Sequence, residues 1–122
     1  MQTLIINPQT KTLDESPYLL ISLAGHFDDE NLSHFENTVE PLLQSNHTYL
    51  IFDLGKLEFL NSRAIGYFDN IYNRSKGVNK RIAFLNDNDV IDEILEMMGL
   101  SEIIPTFEAE EKLLAAMRRE EI

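Results

Sequence analysis

The chain has 122 residues, a hydrophobic fraction of 43%, and 21 acidic against 10 basic side chains, for a net charge of −11. That length fits one domain with one core. The acidity repels nucleic-acid backbones and anionic lipid surfaces, so neither direct nucleic-acid binding nor membrane attachment is expected, and any effect on transcription would run through another protein.

Leu4, Ile5 and Ile6 form a short apolar run that Asn7 and Pro8 punctuate, which reads as an edge strand. Pro17 marks a turn, and residues 18–23 form a second strand that stops at Gly25, so the two runs make a hairpin. Asp28, Asp29 and Glu30 open a helix, since acidic side chains cap free N–H groups and suit the positive end of the dipole. Leu32, Phe35, Val39 and Leu42 recur at helical spacing before Pro41 ends or kinks that helix. Residues 49–54 are almost continuously apolar, the pattern of a strand covered on both faces, and Gly55 breaks it. Leu57, Phe59 and Leu60 then read as a tucked-in loop.

Ser62 begins a second helix with Ile65, Phe68, Ile71 and Tyr72 on one face and Arg63, Tyr67, Asn70 and Arg74 on the other, and Gly77 stops it. Residues 81–85 form a strand, and Asn86 to Asp89 supply a turn and cap. Val90, Ile91, Ile94, Leu95 and Met98 make a third helical stripe ended by Gly99. Ile103 and Ile104 read as a short strand, and Thr106 caps a last helix carrying Phe107, Leu113, Leu114 and Met117. The order β-β-α-β-α-β-α-β-α predicts an α/β fold: a mixed central sheet with an N-terminal hairpin, packed against about four helices in a single domain over residues 1–122.

Little here points to catalysis. There is no cysteine, hence no disulfide or thiol chemistry. His26, His34 and His47 lack ligand spacing, so no metal site is predicted, and no Gly-rich phosphate loop or cofactor fingerprint suggests a cofactor or an enzyme. No apolar stretch approaches the ~20 residues that span a bilayer, and the first residues lack the pattern of a signal peptide, so a cytoplasmic location is expected. Asp28-Asp29 with Asp53 superficially suggest an aspartyl-phosphate receiver. The preceding hairpin and the absence of a Lys after the last strand argue against it.

Three segments carry a resemblance. Phe59-Leu60-Asn61-Ser62-Arg63-Ala64-Ile65-Gly66 resembles the signature of the STAS family, Gly25-His26-Phe27-Asp28 its earlier Gly-x-x-Asp, and Gly99-Leu100-Ser101-Glu102-Ile103-Ile104-Pro105 its Gly-Leu tail segment. Nearly the whole chain is covered, in the right order, and the resemblance is to the anti-sigma-factor antagonists. It implies a binding switch in a partner-switching pathway. The partner would be an anti-sigma factor that is also a serine kinase, and a metal-dependent serine phosphatase would restore the binding form. Carried over by position, Ser62 is the implied phosphoacceptor and Asp28 the neighbouring acidic position. Asp28, Asn61, Ser62, Arg63, Gly66, Tyr67 and Asn70 make the expected partner-binding surface. The chain departs from the family pattern at Asn61, where Asp is usual, and at Arg63 and Ala64, where Ser or Thr and Gly are common.

Read by pattern alone, Ser62 is a helix cap, Asp28 another, and Tyr67 an exposed aromatic suited to an interface. A phosphate at a helix N-terminus is tolerated by the dipole, aided by Arg63, while adding charge and bulk to the surface. The departures keep a second expectation alongside the first: a STAS scaffold in a signalling or transport assembly that binds without phosphorylation. An exposed first strand would also allow pairing into a homodimer.

Overall fold

The computed structural model describes residues 3–122. Strand β1 (Leu4–Leu13) turns back into β2 (Ser16–Phe27) through Asp14 and Glu15, both in the left-handed region at φ 51° and 70°. Two consecutive left-handed residues match the twist of the flanking strands. The hairpin is therefore as expected but longer, and its turn is not at Pro17, which lies in β2 opposite Thr12. Pro8 does not end β1 either, because β1 is an edge strand, where a missing N–H costs the sheet little.

A short 3-10 turn at Asp29–Asn31 leads into α1 (Leu32–Val39), and a second over Glu40–Gln44 accommodates Pro41. Then come β3 (Tyr49–Leu60), α2 (Ser62–Gly77), β4 (Arg81–Leu85), α3 (Asp89–Met97), β5 (Thr106–Phe107) and α4 (Glu110–Arg118). The sheet order is β1-β2-β3-β4-β5, with β1 antiparallel to β2 and every other neighbouring pair parallel. Because successive parallel strands advance in one direction, right-handed crossovers place α1, α2 and α3 on the same face.

Alternation along the strands serves both faces. Leu19, Ile21, Leu50, Phe52, Leu54, Ile82 and Phe84 join Phe35, Phe68, Ile71, Ile91 and Leu95 in the main core, while Tyr18, Leu20, Ile51 and Ala83 face the other way and meet Leu113 and Met117 of α4. The centre of the main core is aromatic. Phe68 lies 5.0 to 5.5 Å from Phe27, Phe35, Phe52 and Phe84 in edge-to-face contacts.

Several boundaries differ from expectation. Gly55 does not end β3, which continues to Leu60 beside the far half of β2 across two register shifts. Leu57 and Leu60 are buried strand residues, not loop. Ile103 and Ile104 are not a strand: they follow a 3-10 turn, and β5 forms two residues later. Thr106 is the first residue of β5, so it does not cap α4, whose N-cap is Ala109. Ile91 and Leu95 of α3 face the core, whereas Val90 and the C-cap residue Met98 are exposed. Among the described residues no helix is long and apolar enough to cross a membrane.

Candidate functional site: the first turn of the second helix

Strand β3 passes into α2 through Asn61, whose backbone is extended at φ −101° and ψ 177°. Its side-chain Oδ1 accepts the Ala64 N–H at 3.0 Å, and its main-chain oxygen accepts the Ile65 N–H at 3.1 Å. Asn61 is therefore the N-cap, and Ser62 is the first residue of the helix, not its cap as the sequence pattern suggested. Ser62 is exposed, and its hydroxyl makes no hydrogen bond to another described residue. With the Ala64 N–H taken by Asn61, the N–H groups of Ser62 and Arg63 have no acceptor within the helix.

A second junction lies against this one. The Asn61 N–H donates to the Phe27 carbonyl at 3.3 Å, joining the end of β2 to the start of α2. Asn61 Nδ2 donates to Asp29 Oδ1 at 2.9 Å, and Arg63 Nε lies 3.8 Å from the same oxygen. Asp28 caps the turn before α1: its Oδ1 accepts from the Glu30 N–H at 3.1 Å and from Asn31 Nδ2 at 3.3 Å. The structure thus brings Asn61, Ser62 and Arg63 together with the acidic turn that holds Asp28.

Farther along α2, Gly66 is exposed, and a Cβ there would meet nothing within 4 Å. Tyr67 is not the free surface aromatic expected. Its ring packs edge-on against Phe35 at 5.6 Å, and its hydroxyl donates to Glu40 Oε1 at 2.6 Å. Arg74 grips the same carboxylate with two N–H groups, at 2.6 and 2.5 Å, and also donates to the exposed Asn70 at 3.3 Å. The hydrogen bonds from Arg74 and then Tyr67 hold the Glu40 carboxyl down at about 2, while burial followed by Glu40 raises the Tyr67 hydroxyl above its ordinary value. Asp29 and Glu40 were missed by sequence reasoning. Each is an ordinary acidic residue in its own segment, and only the approach of α2 gives it a role.

The outward surface of α2 therefore has two parts. Ser62, Arg63 and Gly66 form an accessible first turn, while Tyr67 and Arg74 form a clamp that fixes the helix to the end of α1. A hydroxyl presented in this way is open to chemistry from outside, on a scaffold that would not need to rearrange.

Comparison with known proteins agrees with this architecture. A family model described as the STAS domain matches residues 7–113. The chain belongs to the STAS domain family. Among solved structures, this STAS chain is similar to an anti-sigma factor antagonist from Mycobacterium paratuberculosis, at a TM-score of 0.76 and 18% identity over 93% of this chain and 95% of that one. It is also similar to the anti-sigma factor antagonist SpoIIAA in its unphosphorylated form, at a TM-score of 0.70 and 18% identity over 92% of this chain and 96% of that one. The Bacillus cell fate determinant SpoIIAA in the phosphorylated form matches at a TM-score of 0.63 and 18% identity, covering 91% and 99%. No curated protein matches the chain. At these identities the likeness is one of fold: a five-stranded mixed sheet and four helices.

Proposed function

We propose that this STAS protein is a cytoplasmic anti-sigma-factor antagonist, a binding switch and not an enzyme. It would dock a serine-kinase-type anti-sigma factor on the first turn of α2 and release it when Ser62 is phosphorylated. The observation that carries this reading is the Ser62 hydroxyl, exposed at the first position of a 16-residue helix beside exposed Arg63 and Gly66. Phosphorylation adds about −1.5 to −2 charges there. The free N–H groups of Ser62 and Arg63 and the helix dipole accommodate that charge without unfolding the helix. Asp28 and Asp29 are already close by, so the modified turn becomes more acidic and harder to desolvate against a partner. Arg63 can exchange its long contact with Asp29 for the phosphate. A metal-dependent serine phosphatase would reverse the change.

The test has two parts. The protein is incubated with ATP and the serine-kinase anti-sigma factor of the same organism, and its intact mass is read with Ser62→Ala as control. A gain of one phosphate, lost in Ser62→Ala, is expected. Binding to the same anti-sigma factor is then measured for Ser62→Asp, which should weaken it at least ten-fold, about 1.4 kcal/mol, with the thermal midpoint unchanged. Tight binding by Ser62→Asp would refute the switch. Binding by the parent with no mass gain would instead favour a STAS scaffold that works without phosphorylation.

A further inference from the structure

The cations of this acidic chain are not evenly spread. Six of its ten Lys and Arg side chains pair with carboxylates: Lys11, Arg63, Arg74, Lys112, Arg118 and Arg119. Among the described residues, Lys56, Lys76, Lys80 and Arg81 pair with no Asp or Glu, and of these four only Arg81 is held by a terminal oxygen, that of Ile122. Three of these four, Lys76, Lys80 and Arg81, line one cleft of about 510 Å³, together with Thr48, Tyr72 and Asn79. No Asp or Glu lines it, whereas the two clefts near β5 and the start of α4 are rich in them. In a protein of net charge −11 this is a place where an approaching anion meets attraction.

The cleft lies where α2 ends and β3 and β4 begin: Tyr49 is paired with Arg81 at the start of the two strands, and Thr48 accepts the Arg81 N–H on its carbonyl at 2.8 Å. Its cations differ in role. Lys80 is buried, and its Nζ donates to the carbonyls of Ser45 and His47 at 2.5 Å each, so it supplies fixed charge beneath the surface. Arg81 is exposed and its guanidinium donates to the terminal oxygen of Ile122, a carboxylate oxygen in this chain, so an anionic acceptor already rests in the cleft and offsets one of its three positive charges. Lys76, also exposed, lies over the Tyr72 ring at 4.7 Å and can swing to a nearby anion. Two exposed donors over one buried cation, beside neutral hydroxyl and amide groups, suit a tetrahedral dianion.

We propose that this cleft is a binding site for a phosphate group, either free phosphate or the phosphate of a small monoester. The anion takes over the acceptor position on Arg81 now held by the Ile122 oxygen, and Lys76 closes on it. The site goes beyond the reading of Ser62. It lies at the opposite end of α2, ~20 Å away at 1.5 Å of rise per residue, so either can fail without the other.

The test is a titration of the full chain with inorganic phosphate at constant ionic strength, followed by amide chemical shifts. Saturable shifts confined to Thr48, Lys76, Asn79, Lys80 and Arg81 are expected. Lys76→Ala and Arg81→Ala alter exposed residues, and thermal midpoints confirm that each variant folds. Each should weaken binding about ten-fold, the effect of losing one charge-assisted hydrogen bond, and Lys56→Ala should leave it unchanged. A second titration with glycerol phosphate separates the two sources: tighter binding assigns the monoester, equal or weaker binding assigns free phosphate. Shifts that spread over the surface without saturating, or equal weakening by Lys56→Ala, would overturn the site.

Discussion

Asn61 joins the cap of α2 to Asp29, and replacing it by Asp should destabilise this chain. Asn61→Asp keeps an oxygen to cap Ala64 and places a negative charge at the positive end of α2, a gain of ~0.3–1 kcal/mol. It also removes the donor that reaches Asp29 Oδ1 at 2.9 Å and sets a second carboxylate in its place. Losing that hydrogen bond costs ~1 kcal/mol, below the usual range for charged partners because the Asp29 side chain is 61% exposed and solvent screens it. Repulsion between carboxylates a few ångströms apart in water adds ~1 kcal/mol, less whatever Arg63 offsets. The net loss is about 1 kcal/mol. Asn61→Ser separates the effects, since it keeps the cap and loses the bridge without repulsion, and should cost ~0.5–1 kcal/mol. Urea unfolding followed by circular dichroism at neutral pH measures both. Repeating it at 1 M salt, where the Debye length is only about 3 Å, should bring Asn61→Asp toward Asn61→Ser. An Asn61→Asp protein as stable as the parent at low salt would show that the bridge to Asp29 does not hold in solution.

Glu40→Gln should cost ~1 kcal/mol at neutral pH. The figure is kept small because the Glu40 and Arg74 side chains are 39% and 43% exposed and solvent screens them. The folded-state carboxyl titrates at about 2, below its ordinary 4.5, so its stabilisation is complete above pH 4.5 and fades as the pH falls toward 2. Urea unfolding should find the gap between parent and Glu40→Gln closing over that interval, and a gap constant with pH would contradict the clamp. Gly25→Ala should lower stability by at least ~2 kcal/mol, since Gly25 has φ +94° and a Cβ there would lie 2.2 Å from the Thr3 main-chain oxygen. A thermal midpoint within a degree or two of the parent's would refute that.

The sequence by itself determined the element order, the hairpin and both faces of the sheet. These follow from periodicity, because a strand such as residues 49–54 or a stripe such as Ile65, Phe68 and Ile71 must bury its apolar side wherever the chain goes. It also pointed to Ser62, since the resemblance runs through contiguous residues. Only the tertiary structure decided the rest. Gly55 lies at a register shift but does not end the strand, because β2 continues alongside and holds β3 extended to Leu60. Tyr67 is not free, because Glu40, 27 residues earlier, meets it across α1 and α2. Lys76, Lys80 and Arg81 share a cleft because α2 ends where β4 begins. Local pattern governs which face of a segment is apolar. Which charges meet depends on the packing of segments far apart in the chain, and no window of residues contains that.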